Sequence, residues 1–362
     1  MHAFKFENYT HVNFNMDILK AKLVWVDGRC YRQLPLRETS HADHDNQIVQ
    51  PVTSISHRDE DYENTDLPVK HRGDVFFYVF VIPKDFVKYV VGAKAAKKKQ
   101  IEESTSTVLE IPKPTDLKNT DEADITIIGK SIGSVVRSYE RVRRLVDDMR
   151  WRTMEFTHFI SIPMNDQNIQ EKFLHFKNDV LRTCKGSQGI DDNIFVSPAK
   201  LHLTIAMLTL LTNQEKEKAT SILQNCKNYI LNLLSGKPLN IEVKGVEYMN
   251  DEPEEVTVLY GKVKETKSNC LQLIANKLLE EFEQSPLGRR ATYDDPSNVK
   301  LHVTLMKAKT GARGYRETFD ASQILEKYAD YSFGETTVSE IHISVRFNAG
   351  KNYYQSIHVL EL

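Results

Sequence analysis

The chain writes one phrase twice. "AKLHLTIAML" occupies residues 199–208 and "VKLHVTLMKA" occupies residues 299–308. Each sets Lys-Leu-His-x-Thr at the head of an apolar run, the pattern of a buried strand. The surroundings repeat as well. The first half reads strand "FTHFISIPM", helix "NIQEKFLHFKNDVLRTC", the histidine strand, helix "QEKEKATSILQNCKNYILNLL" and strand "LNIEVKGVEYM". The second half reads strand "VTVLYGKV", helix "NCLQLIANKLLEEFEQ", the second histidine strand, helix "DASQILEKYA", strand "TTVSEIHISVRF" and a closing "YYQSIHVLEL". Phe159 precedes His202 by 43 residues and Leu259 precedes His302 by the same 43, which aligns Phe159 with Leu259. A duplicated, pseudo-twofold unit over residues 154–362 is the expectation.

On a strand, residues i and i+2 share a face. His202 with Thr204, and His302 with Thr304, therefore project together, while Leu201, Leu203, Ile205 and Leu301, Val303, Leu305 pack on the opposite side. Two imidazoles titrate near neutrality and can share acid and base work on one substrate without a metal. Threonine hydroxyls can hydrogen-bond the non-bridging oxygens of a phosphoryl group as charge builds there. The pattern suits phosphodiester cleavage, with His202, Thr204, His302 and Thr304 as the catalytic candidates. A third triplet, His342-Ile343-Ser344, fails the symmetry test, because the repeat offset carries His342 to Glu242. It reads as structural, as do His158 and His175. Lys307, just past the second motif, reads as an outward strand lysine, the alternative being added positive charge at the phosphate, and Tyr260, Tyr315 or a nearby phenylalanine as base-stacking candidates.

Composition narrows the rest. With 48 basic and 50 acidic residues, any polyanion site must be a local patch. The four cysteines are far apart and form no CxxC pair, which argues against a zinc site or a disulfide framework. No cluster shows metal-ligand spacing, so neither a metal nor another cofactor is expected. The first fifteen residues lack the apolar core of a signal peptide, and no membrane partner is expected.

Residues 75–153 read strand, helix, helix, strand, strand, helix. "VFFYVFVIP" opens the unit, "KDFVKYVVG" and "AKKKQIEEST" follow as helices, "TVLEIP" and "ADITIIG" are strands, and the amphipathic "SIGSVVRSYERVRRLVDDMRW" closes it. Between the helices lies Gly92-Ala93-Lys94-Ala95, crowded by Lys97, Lys98 and Lys99. Lysines and a helix N-terminus favour phosphate, so these seven residues are the nucleic-acid-binding candidates. Arg137, Arg141, Arg143 and Arg144 either extend that track or solvate the last helix. Residues 1–74 form an N-terminal segment, with "KLVWVDGRCYRQLPL" as a strand-turn-strand phrase that either docks a partner or folds back onto its own protein, and eight acids against one arginine over residues 38–66 reading as a mobile linker.

The middle unit resembles the KH domain, a single-strand-binding module that clamps its ligand across a GxxG loop. Here Ala95 replaces the closing glycine, and alanine resists the positive backbone torsion such a loop uses. The paired HxT strands resemble the two-histidine (2H) phosphoesterase superfamily, and "FTHFISIPM", "LHLTIAML" and "LHVTLMK" look most like its A-kinase anchoring protein seven type. That resemblance implies an α+β chain, a β-α-α-β-β-α KH-like domain followed by a duplicated domain with two antiparallel sheets around a cleft. A KH unit joined directly to this domain behind a "VDGRCYR" phrase resembles subunits of the activating signal cointegrator complex. The resemblance implies a nuclear protein partnered with that complex's helicase and other subunits, with single-stranded RNA or an oligonucleotide as ligand. The competing expectation is an adaptor that binds RNA or nucleotide without turnover and recruits partners through its N-terminal segment.

Overall fold

Three sheets organise the computed structural model, which describes residues 22–26, 29–33, 66–265, 269–290, 298–311, 317–347 and 350–362. Strands β1 (Lys22–Val26) and β2 (Arg29–Gln33) pair antiparallel, Val24 opposite Tyr31, in a unit of residues 1–56 that stands by itself. The turn at Asp27-Gly28 and the acidic stretch up to Thr65 lie outside the described residues.

The second sheet belongs to the KH-like unit. It comprises β3 (Lys70–Arg72), β4 (Val75–Pro83), β5 (Thr107–Glu110) and β6 (Glu122–Gly129) in the order β3-β4-β6-β5, all antiparallel. Helices α1 (Val87–Val91), α2 (Ala96–Thr105) and α3 (Ile132–Thr153) cover one face. The alternation in β6 explains the layering, since Ala123, Ile125 and Ile127 are fully buried and Asp124 points to water. Val135, Val142 and Val146 of α3 meet them at helical spacing, and Tyr139 stands edge-on to Tyr78 and Phe80. Ser131 caps α3 by accepting from the Ser134 amide, which fixes where that helix starts.

The third sheet is the duplicated unit. In chain order come β7 (His158–Pro163), α4 (Gln167–Thr183), β8 (His202–Leu208), α5 (Asn213–Asn225), α6 (Lys227–Leu234) and β9 (Leu239–Tyr248). Then follow β10 (Val258–Glu265), α7 (Cys270–Glu283), β11 (Gly288–Arg290), β12 (His302–Lys307), α8 (Ser322–Tyr328), β13 (Ser332–Val338), β14 (Glu340–Val345) and β15 (Ser356–Glu361). The long helix expected over residues 214–234 is broken at Cys226 into α5 and α6.

Two antiparallel leaves result, β13-β9-β10-β12 and β8-β7-β14-β15, joined by the single pair Leu203↔Val303; β11 lies against β8. The last strand of each half crosses over. β9 of the first half pairs with β10 of the second, and β14 of the second pairs with β7 of the first. Each leaf is therefore completed by the other half of the chain, so the halves cannot fold as independent domains. Phe173, Phe176 and Val180 of α4 and Ile274, Leu278 and Phe282 of α7 fill the core behind the leaves with Leu203 and Leu305. Among the described residues no helix is long and apolar enough to cross a membrane.

Candidate active site and nucleic-acid groove

The pair Leu203↔Val303 sits on the local twofold axis, and both side chains are buried in the core. Their neighbours His202, Thr204, His302 and Thr304 consequently share the opposite face, on either side of the one pair at which β8 and β12 meet. Both histidines are oriented alike. The His202 Nδ1 lies 2.7 Å from the Lys200 carbonyl and the His302 Nδ1 lies 2.7 Å from the Lys300 carbonyl. A carbonyl only accepts, so each Nδ1 carries the proton and donates, leaving each Nε2 as the nitrogen for proton exchange. The backbone two residues upstream thus fixes the tautomer in both copies of the motif.

The two rings differ in their surroundings. Phe159 and Tyr354 lie 5.0 and 5.2 Å from the half-buried His202 ring, and burial pushes its pKa down to about 4. The Lys200 carbonyl opposes the shift, whereas the charges of His302 and Lys307 add to it. His302 instead stands edge-on to Tyr260, whose hydroxyl donates to Glu247 at 2.8 Å; Lys262 reaches the same carboxylate at 3.5 Å. Lys200 lies over Tyr354 and Lys300 over Tyr260, a matched pair of cation–π contacts beside the two histidines.

Cross-strand pairing corrects the alignment of the halves. Ser161 pairs with Thr204 and Tyr260 with Thr304; Phe159 pairs with Met207 and Val258 with Lys307. Phe159 is thus the twin of Val258, not of Leu259. The one-residue slip matters because it exchanges faces: Phe159 lies against the His202 ring, and Leu259 is in the core. A bulge follows each HxT motif, between Ile160 and Ser161 on the partner of β8 and between Leu259 and Tyr260 on the partner of β12. The bulge turns Lys307 onto the face of Thr304 and Tyr260, where it is exposed, whereas strict alternation would set it on the packed side with Val303 and Leu305.

The remaining sequence candidates fall out by contact. Tyr260 is 4% exposed and occupied by Lys300, His302 and Glu247, so its face is not open to a base; Tyr315 lies outside the described residues. His342 is held by Ser356 at 2.8 Å and Glu340 at 2.6 Å, which fits its structural role, and pairing makes Glu247, not Glu242, its twin. The sequence reading missed Ser161, Tyr353 and Tyr354. Tyr353 donates to Ser161 at 3.0 Å, Ser161 and Ser344 lie 2.9 Å apart, and burial raises the Tyr353 pKa beyond the usual phenol range. Pairing of β7 with β8 sets Ser161 beside Thr204, and the crossover of β14 brings Ser344 to Ser161, which no local pattern announces.

His158 is 5% exposed beside Thr157, and burial lowers its pKa to about 4. The folded protein binds this proton more weakly than the unfolded chain, whose histidine titrates near 6.5. Its contribution is therefore complete above about pH 6.5 and is lost as pH falls through 4. Urea unfolding is expected to show roughly 2–3 kcal/mol of lost stability from this group between pH 7 and 4, and His158→Gln should flatten that slope.

In the KH-like unit, Gly92, Ala93, Lys94 and Ala95 form the loop into α2. Gly92 has φ +69° and its missing Cβ would meet the Lys97 Cβ at 2.7 Å, so the position demands glycine. Lys94 and Ala95 hold φ of +49° and +60°. The loop keeps its positive torsion without the closing glycine, at the cost of strain. Ala95→Gly is expected to stabilise the protein by about 0.5–1 kcal/mol, the left-handed penalty of about 1–2 kcal/mol less the entropy of an added glycine. Thermal unfolding checks it; no gain would mean the loop relaxes in solution. Lys94 and Lys99 are exposed, Lys97 bonds Gln100 and Lys98 lies 3.7 Å from Glu102. An apolar groove runs beside the loop, lined by Val87, Val91 and Gly92 on one wall and Pro112, Pro114 and Leu117 on the other, with Lys84 and Lys88 at its rim. On α3, Arg143 and Arg144 pair with acids one turn away, and Arg141 bonds Ser104.

A model of the KH domain matches residues 77–144, and a model described as the AKAP7 2′5′ RNA ligase-like domain matches residues 156–362. Activating signal cointegrator 1 complex subunit 1 of Mus musculus is 36% identical over 95% of this chain and 99% of its own length. An uncharacterized protein of Schizosaccharomyces pombe is 25% identical over 48% of this chain and 78% of its own. Among solved structures, E. coli LigT complexed with NADP+ covers 57% of this chain and 98% of its own at 16% identity, with a TM-score of 0.34. The chain belongs to the family of activating signal cointegrator 1 complex subunit 1, a KH domain followed by a 2H phosphoesterase-like domain.

Proposed function

We propose that the protein is a metal-independent phosphodiesterase that acts on RNA ends or oligonucleotides presented by its KH domain. One observation carries this reading: two HxT motifs meet at one strand pair with each Nδ1 donating to a backbone carbonyl 2.7 Å away, which sets both rings in the same tautomer with Nε2 as the proton-accepting nitrogen. His202, kept neutral by burial, removes a proton from water or a ribose 2′-hydroxyl. His302 protonates the departing oxygen. Thr204 and Thr304 donate to the non-bridging oxygens as negative charge accumulates. A base lowered to about 4 is in its working form throughout neutral pH, although its modest basicity asks for a well-placed nucleophile.

The exposed Lys94 and Lys99, with the apolar groove at Gly92, support single-strand binding through phosphate contact and base burial. The relationship to activating signal cointegrator 1 complex subunit 1 supports a place as a subunit of a complex, and our reading places that complex in the nucleus with a helicase among its partners. Cleavage of end-labelled single-stranded RNA in EDTA, beside the His202→Ala/His302→Ala double variant, tests the enzyme. Cleavage by the wild type alone is the expected result; binding without cleavage by both would favour the adaptor. Retention of the tagged chain in the nucleus together with the helicase tests the assembly.

A further inference from the structure

The strand β4 is apolar on both faces but covered on one. Along "VFFYVFVIP", Phe76, Tyr78, Phe80 and Ile82 pack toward the helices, while Val75, Phe77, Val79 and Val81 alternate onto the other face. An antiparallel sheet with one solvated face ordinarily alternates apolar and polar residues, and an unbroken apolar run marks a strand buried on both sides. Register carries the patch across the sheet, since Phe77 pairs with Ile128, Ile128 with Val108, and Val79 with Thr126. Val108 is 54% and Val79 48% exposed, so the second face meets water. Contiguous apolar surface of this kind commonly marks an interaction site.

The charges around the patch are sorted by sign. β3 forms one edge, where Lys70 and Arg72 share the face of Phe77 and Val75, their partners in register. β5 forms the opposite edge, where Glu110 pairs with Thr126 and so shares the face of Val79. Glu103 lines the same groove as Val75, Val108 and Ile128 on that side. All four charged residues are exposed. Asp124, opposite Val81, and Lys130 mark the two ends of β6.

This layout is its own complement. A second copy turned about a twofold axis that lies in the face, parallel to the strands, sets its β4 over β6 and its β3 edge over the β5 edge. Apolar rows then meet apolar rows, Lys70 and Arg72 of each copy meet the edge with Glu103 and Glu110 of the other, and the strand directions agree as in aligned sheet packing. A partner carrying one sign of charge would be attracted at one edge and repelled at the other. At the spacing of strands and residues in a sheet, the face offers roughly 500 Å² on each copy, about 1,000 Å² in total, the lower end of specific interfaces.

We infer that the open face of the KH-like sheet pairs with the same face of a second copy, so that the protein forms a reversible twofold dimer. This stands apart from the phosphodiesterase reading. Helices α1 and α2 and the groove at Gly92 lie on the covered side, so the dimer carries two open nucleic-acid grooves.

Sedimentation equilibrium of the full chain from about 1 µM to 1 mM tests it, with a concentration-dependent monomer–dimer equilibrium as the expected result. Val79→Arg should weaken the dimer at least about tenfold by placing a charge at the centre of the contact. Two double variants test the arrangement. Lys70→Glu/Arg72→Glu makes both edges acidic and Glu103→Lys/Glu110→Lys makes both basic, so each should lose self-association at least about tenfold. An equimolar mixture of the two should dimerise again, because every acidic edge then meets a basic one. Circular dichroism on the same samples confirms that these exposed substitutions leave the fold intact. A wild type that stays monomeric throughout the range, a dimer indifferent to Val79→Arg, or a mixture that stays monomeric would each overturn the inference.

Discussion

His202→Ala and His302→Ala are each expected to lower turnover of single-stranded RNA by about 10²–10⁴-fold, the range that a positioned acid or base supplies. The double variant should lose little more than the worse single variant, because the two groups act on one proton inventory and their effects do not add. The geometry makes this a sharp expectation. Each Nδ1 is committed to a carbonyl 2.7 Å away, so no second tautomer is available to take over the lost role. Single-turnover rates with urea unfolding on the same samples provide the check. Near-native rates in both single variants, with folding intact, would remove the histidines from the chemistry. Removing His202 also deletes a ring whose charged form is disfavoured by burial, so acid stability should improve rather than worsen in that variant.

Arg150→Ala is expected to cost about 3–5 kcal/mol, the largest stability loss that a single polar side chain here should produce. Arg150 closes α3 at 2% exposure and stacks its guanidinium 5.1 Å over Phe86 of the KH-like core. It donates to the Thr209 carbonyl at 2.8 Å and to both oxygens of Glu215 in the phosphoesterase-like domain. Glu215 in turn accepts from the Leu211 amide at 2.7 Å, and its own amide is capped by Thr212. Deleting the arginine leaves a buried carboxylate and a carbonyl without their partner, while replacing both residues by leucine should be far milder. Urea unfolding followed by two probes, one per domain, should change from one transition to two as the domains uncouple. Coincident, unshifted transitions would show that the pair contributes no coupling.

Most strands, the helix order and the two HxT faces were legible because each depends on local period, whereas β13 and β14 read as one strand in the sequence. A buried strand must alternate, and the repeat of Lys-Leu-His-x-Thr isolates the two histidines from ten others in the chain. The alignment of halves was legible only to within one residue, since apolar matching cannot distinguish Phe159 against Leu259 from Phe159 against Val258. Pairing distinguishes them. Ala95 shows the opposite case: residue preference argued against a left-handed loop, and packing of α2 against its neighbours imposed it.

By itself the sequence determined the duplicated architecture, the KH-like element order, the two HxT faces and the lysines near Gly92, all of which follow from patterns within a few residues. Only the tertiary structure decided the strand exchange that completes each leaf, the bulges that turn Lys307 onto the face of Thr304, the aromatic cover over His202 and the Arg150–Glu215 link. The physical reason is that these depend on which strand lies beside which. Cross-strand register is a long-range choice made by burial of whole faces, and residues such as Tyr354 and His202, 152 positions apart, carry no local mark of meeting.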